Sequence, residues 1–166
     1  MKILKYSVIC LMLLAGFSSC KKDGFQPLDA SAPPIQVTVA NKSSQRNGPS
    51  ITVSEASPNF SIILEIPESS GRKIKEIQKV SFSSGPQDLF DPEVENYASG
   101  PIAGSNNKVT FNSSLDEILS NAGVPKPSYP SSGVKAVDYP GNFYFLIVLD
   151  DNSTLISTQV RILMVP

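Results

Sequence analysis

The chain has 166 residues, 14 basic against 15 acidic side chains, and no histidine. A near-neutral balance gives no concentrated basic face for nucleic acid. Without histidine there is no Ser-His-Asp or Cys-His catalysis, no His-ligated zinc and no ordinary general base near neutral pH.

The first stretch reads as an address. Lys2 and Lys5 precede an almost unbroken apolar run, Tyr6 to Gly16, and Phe17-Ser18-Ser19-Cys20 follows. A charged start, a short apolar region and small residues at a cleavage point are the parts of a secretory signal. The run falls short of the ~20 residues a spanning helix needs, so residues 1–19 are expected to be removed. Phe17-Ser18-Ser19-Cys20 resembles the lipobox of bacterial lipoproteins, with Phe17 where that family usually has Leu. The resemblance implies fatty acylation, palmitate included, on Cys20 and a membrane-anchored product. A plain signal that leaves Cys20 as a free thiol is the alternative. Cysteine counting favours the lipid: of two cysteines, Cys10 lies in the leader, so Cys20 has no internal disulfide partner. Two acyl chains suffice for stable anchoring, at ~0.8 kcal/mol per buried methylene.

Without residues 1–19, and with them Lys2 and Lys5, 147 residues remain with 12 basic and 15 acidic side chains, a net charge of −3. Residues 20–34 hold Cys20 and a polar segment, KKDGFQPLDASAPP, closed by two prolines. As coil this tether spans ~20 Å, from ~5–6 Å × √n. Lys21-Lys22-Asp23 resembles the export signal that Bacteroidetes lipoproteins carry after the cysteine, which implies the outer face of the outer membrane. An ordinary solvated linker is the other reading.

Residues 35–166 read as strands and turns. Ile35, Val37 and Val39 alternate with polar residues, the period of a half-buried strand. Ile51 to Ser54 is another short strand, and Phe60, Ile62, Leu64 and Ile66 share one face of a stronger one. Arg72 to Ser83 changes parity between Ile74 and Ile77, as a bulged strand does; a short helix is the alternative. Gly85 to Asn107 is turn-rich, with a weak strand expected over Val94 to Ala98, and Val109 and Phe111 mark the next strand. Ser114-Leu115-Asp116-Glu117 fits a capping box, with Leu115, Ile118 and Leu119 as the apolar stripe and Gly123 as the stop. Asn142 to Leu149 is apolar on both faces, as in a central strand. A turn at Asp150 to Ser153 leads into a strand over Leu155 to Met164, with Ile156, Val160, Ile162 and Met164 inward and Ser157, Gln159 and Arg161 outward. About seven short strands and one helix in one domain predict an all-β, immunoglobulin-like antiparallel β-sandwich.

VTFNSSLDEILSNAGV and NFYFLIVLDDNSTLISTQVRILMV, between Val109 and Val165, resemble the C-terminal half of small Bacteroidetes surface lipoproteins with an Ig-like domain. That resemblance implies association with outer-membrane nutrient-uptake systems of the SusC/SusD kind. It carries over no catalytic or binding residue. This chain has Asp151-Asn152-Ser153 where a glycine is usual, and Asn tolerates the same left-handed backbone.

Little chemistry remains in the side chains. No phosphate-binding glycine loop is present, and no cofactor or metal is implied. A two-carboxylate glycosidase would draw on Asp88, Asp91, Glu93 and Glu95, or on Asp150 with Asp151. The same acids are dense in oxygens for Ca²⁺ but match no defined calcium loop, and solvated loop acids are the bland reading. Tyr97, Tyr129, Tyr139 and Phe90 fall in loop-like segments and are candidates to stack on a sugar; covering the edge of the core is the plain alternative. For Arg72, Lys73, Lys75 and Lys79, guarding an exposed strand is the reading preferred over recognition of an anionic polymer. The expected function is a non-enzymatic, lipid-anchored surface accessory or adhesion module. Polysaccharide binding and a small hydrolase are the alternatives.

Overall fold

The computed structural model describes residues 35–44, 47–129 and 135–166, and the leader, Cys20 and the tether lie outside them. Alternation sets the first layer. In β3 (Asn59–Glu65) every second residue is buried, and Phe60, Ile62, Leu64 and then Ile66 point inward. β3 pairs antiparallel with β1 (Thr38–Val39) on one side and β6 (Lys108–Ser114) on the other. Beyond β1, the Asn41 carboxamide takes over the ladder. Its Oδ1 accepts from the Ile63 N–H at 2.9 Å and its Nδ2 donates to the Ser61 carbonyl at 2.9 Å. A side chain thereby stands in for a peptide group and covers part of this sheet's edge.

The second sheet runs β2-β9-β7-β4-β5: Ser50–Ser54, Val160–Val165, Val137–Leu149, Ile74–Ser83 and Ile102–Ala103. β8 (Thr154–Ile156) pairs with the far end of β7, on antiparallel register. β7 is central and apolar on both faces, as expected. Phe143, Phe145, Ile147 and Leu149 enter the core between the sheets, while Tyr144 and Val148 are buried outside that cluster. Opposite Tyr144, the bulged-strand reading of β4 holds: its register against β7 shifts at Ile74/Glu76 and again at Ile77/Lys79. A further shift in β7 between Asp138 and Asn142 holds Pro140 and Gly141, where a residue without an N–H removes no ladder bond.

Four expectations are corrected. First, β2 and β9 pair in parallel, Ser50 opposite Arg161 through Ser54 opposite Val165, so the sandwich is not purely antiparallel. Second, there is no strand over Val94–Ala98; that stretch is irregular, and the extra strand is β5 instead. Third, Leu155 to Met164 is two strands rather than one. Ser157 turns inward, and its Oγ accepts from the Phe145 N–H at 3.1 Å, which leaves Ile156 exposed. Fourth, only Leu115 and Ile118 of the helix stripe are buried, and Leu119 is 51% exposed.

The helix itself, α1 (Leu115–Ala122), forms as its ends dictate. Ser114 Oγ accepts from Glu117 N–H, Glu117 Oε2 accepts from Ser114 N–H, and Gly123 closes the helix at φ 66°. At the β7–β8 turn Asn152 takes φ 64°, the left-handed backbone expected there. The described residues thus form two sheets and one α-helix, an all-β arrangement.

Candidate functional site

The aromatic candidates separate. Tyr97 is 7% and Tyr139 4% exposed, so neither offers a ring face to a sugar. Tyr97 instead sits against Phe143, Phe111 and Phe82, with centroids 5.1, 5.9 and 6.5 Å away. Its loop is turn-rich, but Asn96 pins it to β4: Asn96 Oδ1 accepts from Val80 N–H at 2.9 Å and from Ala98 N–H at 3.3 Å. The adjacent ring is thus delivered into the core. Tyr139 meets Phe82 edge-on at 6.0 Å and donates to the Leu115 carbonyl at 3.5 Å. Tyr129 is half-buried at the core's margin, and its hydroxyl has no hydrogen-bond partner among the described residues. Phe90 alone is widely exposed, at 62%.

Burial, the largest influence, pushes the Tyr97 hydroxyl up to about 12; the Ser113 hydrogen bond opposes the rise, and Glu117 and Tyr139 add to it. Burial followed by the nearby Asp116 and Glu55 charges raises Tyr139 as well.

The acids do not gather. Asp91, Glu93 and Glu95 are exposed and Asp88 half-buried. Asp91 Oδ1 is occupied by the Glu93 N–H, and the Asp91 carbonyl accepts from Lys79 Nζ at 2.7 Å. Among the described residues no group of three metal-ligating side chains forms. Asp150 and Asp151 both engage Arg72, whose side chain joins the β7–β8 turn to the start of β4. That pair is a structural clamp. It is not two carboxylates facing a substrate.

Two polar depressions lie elsewhere, where β6 ends and α1 begins. One depression of about 430 Å³ is lined by Asn59, Phe60, Ser61, Asn112, Ser113 and Glu117. A second, of about 400 Å³, lies between β6, α1 and the 97–102 segment, and is lined by Asn112, Glu117, Asn121, Ser99 and Ile102 among others. Asn112 and Glu117 belong to both, so the two meet at the corner of the sandwich. Asn121 is positioned by donating to the Tyr97 carbonyl at 3.2 Å. Among the described residues, the side chains of Asn59, Asn112 and Ser99 meet no hydrogen-bond partner.

The backbone contributes too. Bonds from Ile66 N–H to the Asn107 carbonyl and from Leu115 N–H to the Pro58 carbonyl bracket the β3–β6 ladder. Antiparallel alternation then turns the peptide groups of Lys108, Thr110, Asn112 and Ser114 away from β3. Ser105 engages Lys108, and Glu117 takes the Ser114 N–H. Among the described residues, nothing pairs with the backbone groups of Thr110 and Asn112 along this edge. No local motif announces the corner, because its residues come from β3, β6, α1 and a loop. The one sequence signal was the capping box, which places Glu117 there.

Comparison with protein-family models, with curated proteins and with solved structures finds no match in any of the three.

Proposed function

We propose that this chain is a non-enzymatic lipoprotein module, held by acyl chains on Cys20 at the outer face of an outer membrane, where it serves as an accessory or adhesion domain. The observation that carries this reading is the setting of Cys20. It follows an apolar leader and two serines, and a polar segment separates it from the β-module that starts near Ile35. In that reading the polar segment is the tether between anchor and module. An outer-membrane nutrient-uptake complex is the partner proposed for it.

The module is further read as immunoglobulin-like. Support comes from strand order: β1-β3-β6 matches the A-B-E side of that fold, and β9-β7-β4 the G-F-C side. Tyr139, near the start of β7, donates to a carbonyl of the preceding connection, as the tyrosine of that fold's E–F corner does.

Mass spectrometry of the protein extracted from membranes tests the anchor. The expected N-terminal peptide begins at Cys20 and carries fatty acyl mass. An unmodified Cys20, or a retained leader, sinks the reading. Affinity purification from native membranes is expected to bring down an outer-membrane transporter.

A further inference from the structure

We infer that the corner between β6 and α1 is a binding site for a neutral oligosaccharide, with Asn112 at its centre and Asn59, Ser61, Ser99, Glu117 and Asn121 around it. The inference rests on the surface-display reading, which puts glycans within reach, and it adds the site and its chemistry.

Three observations favour this class of ligand. The first is the donor and acceptor set. A sugar hydroxyl both donates and accepts, and a carboxamide offers both functions side by side. Asn59 and Asn112 hold theirs out with no partner among the described residues. The second is charge. Neither depression is lined by a lysine or arginine, and Glu117 is the single formal charge. Its Oε2 is committed to the Ser114 N–H, and Oε1 is left to accept a hydroxyl. Phosphate, sulfate and uronate ligands would meet repulsion there with nothing to offset it. The third is size. Each depression falls within the ~300–1,000 Å³ typical of small-ligand sites, and because they share Asn112 and Glu117 a chain of sugar units can run from one into the other.

The competing occupant is an extended peptide added to the free edge of β6. That edge offers only Thr110 and Asn112. The Ser105–Lys108 bridge blocks one end and the capping box the other, so there is room for little more than one pair of peptide groups. Strand addition draws its affinity from a run of such bonds. A short, amide-rich corner favours sugar.

The test uses the mature lipoprotein in detergent micelles, titrated with neutral cello-, manno-, xylo- and galacto-oligosaccharides and followed by NMR of the asparagine side-chain amides. Saturable shifts are expected at Asn59, Asn112 and Asn121 with at least one series. Asn112→Ala is expected to weaken that binding by ~10-fold, the loss of a paired hydrogen bond, and Asn59→Ala by less, both with unchanged thermal midpoints because neither side chain bonds to another described residue. Absence of saturation across the panel overturns the inference. So does binding that both variants leave intact, a response to acidic sugars alone, or a response to extended peptides alone at the Thr110 and Asn112 backbone amides. Protein acylated at Cys20 that binds none of these sugars overturns this inference and leaves the display reading standing. Sugar binding by protein with a bare Cys20 does the reverse.

Discussion

The hydroxyl of Tyr97, carried in by an irregular loop, meets that of Ser113, at the end of β6, at 2.8 Å inside the core. With the contact of the Tyr97 ring on Phe111, this bond ties the 84–101 connection to the first sheet. Tyr97→Phe leaves the buried Ser113 hydroxyl without its partner, and is expected to cost about 1–3 kcal/mol in denaturant unfolding. The double variant Tyr97→Phe/Ser113→Ala should cost less than the two single changes together, since it strands neither group.

The same tyrosine sets an alkaline limit. Its folded value of about 12 lies above the ordinary 10.0, so the unfolded chain releases the proton first. This contribution to stability is intact below pH 10 and is lost progressively as pH rises from 10 to 12. At ~1.4 kcal/mol per pH unit the loss approaches 2–3 kcal/mol. Unfolding free energies measured from pH 8 upward should fall through that window, and Tyr97→Phe should flatten the fall.

A single methyl group separates two glycines. A Cβ at Gly104 would stand 2.2 Å from the Ile74 carbonyl oxygen, a backbone atom that cannot swing aside. At Gly100 nothing lies within 4 Å. Gly104→Ala is expected to lower stability by about 1–3 kcal/mol, with Gly100→Ala near neutral, as thermal melts will read.

Phe143 is the hub of the aromatic core, with Phe60, Phe82, Tyr97, Phe111 and Phe145 rings all within 6.1 Å of it. Phe143→Ala is expected to cost about 3–5 kcal/mol. Leu119→Ala, at a half-exposed site on α1, should stay within about 0.5 kcal/mol. Equal effects in chemical denaturation would contradict the burial pattern.

The capping box links α1 to the polar corner, because Glu117 serves both. Ser114→Ala is expected to cost about 1 kcal/mol and to speed amide exchange at Glu117, whose N–H loses its acceptor.

Sequence alternation disclosed β3 because one buried face and one solvated face repeat over four turns of the pleat, from Phe60 to Ile66. The Ser114–Glu117 box and the Asn152 turn were equally plain, since each depends on neighbours three or fewer residues apart. Ser157 escaped because its inward turn is decided by a bond to Phe145, across the sheet. β5 escaped because two residues, Ile102 and Ala103, carry no period. Tyr97 and Tyr139 looked like loop residues, and their burial follows from long-range contacts with Phe82 and Phe143. The polar corner was illegible for the same reason: Asn59, Asn112 and Asn121 are ordinary surface asparagines until β3, β6 and α1 bring them to one place.

The parallel pairing of β2 with β9 also orders events in time. A polypeptide emerging amino end first delivers β1, β3 and β6 well before its final residues, so the first sheet can close early. β2 is delivered early as well, but its neighbour is the final strand, and Ser50 must wait for Arg161. Joining partners so far apart along the chain is slow. Until β9 is in place, β2 and β7 lack the strand that lies between them.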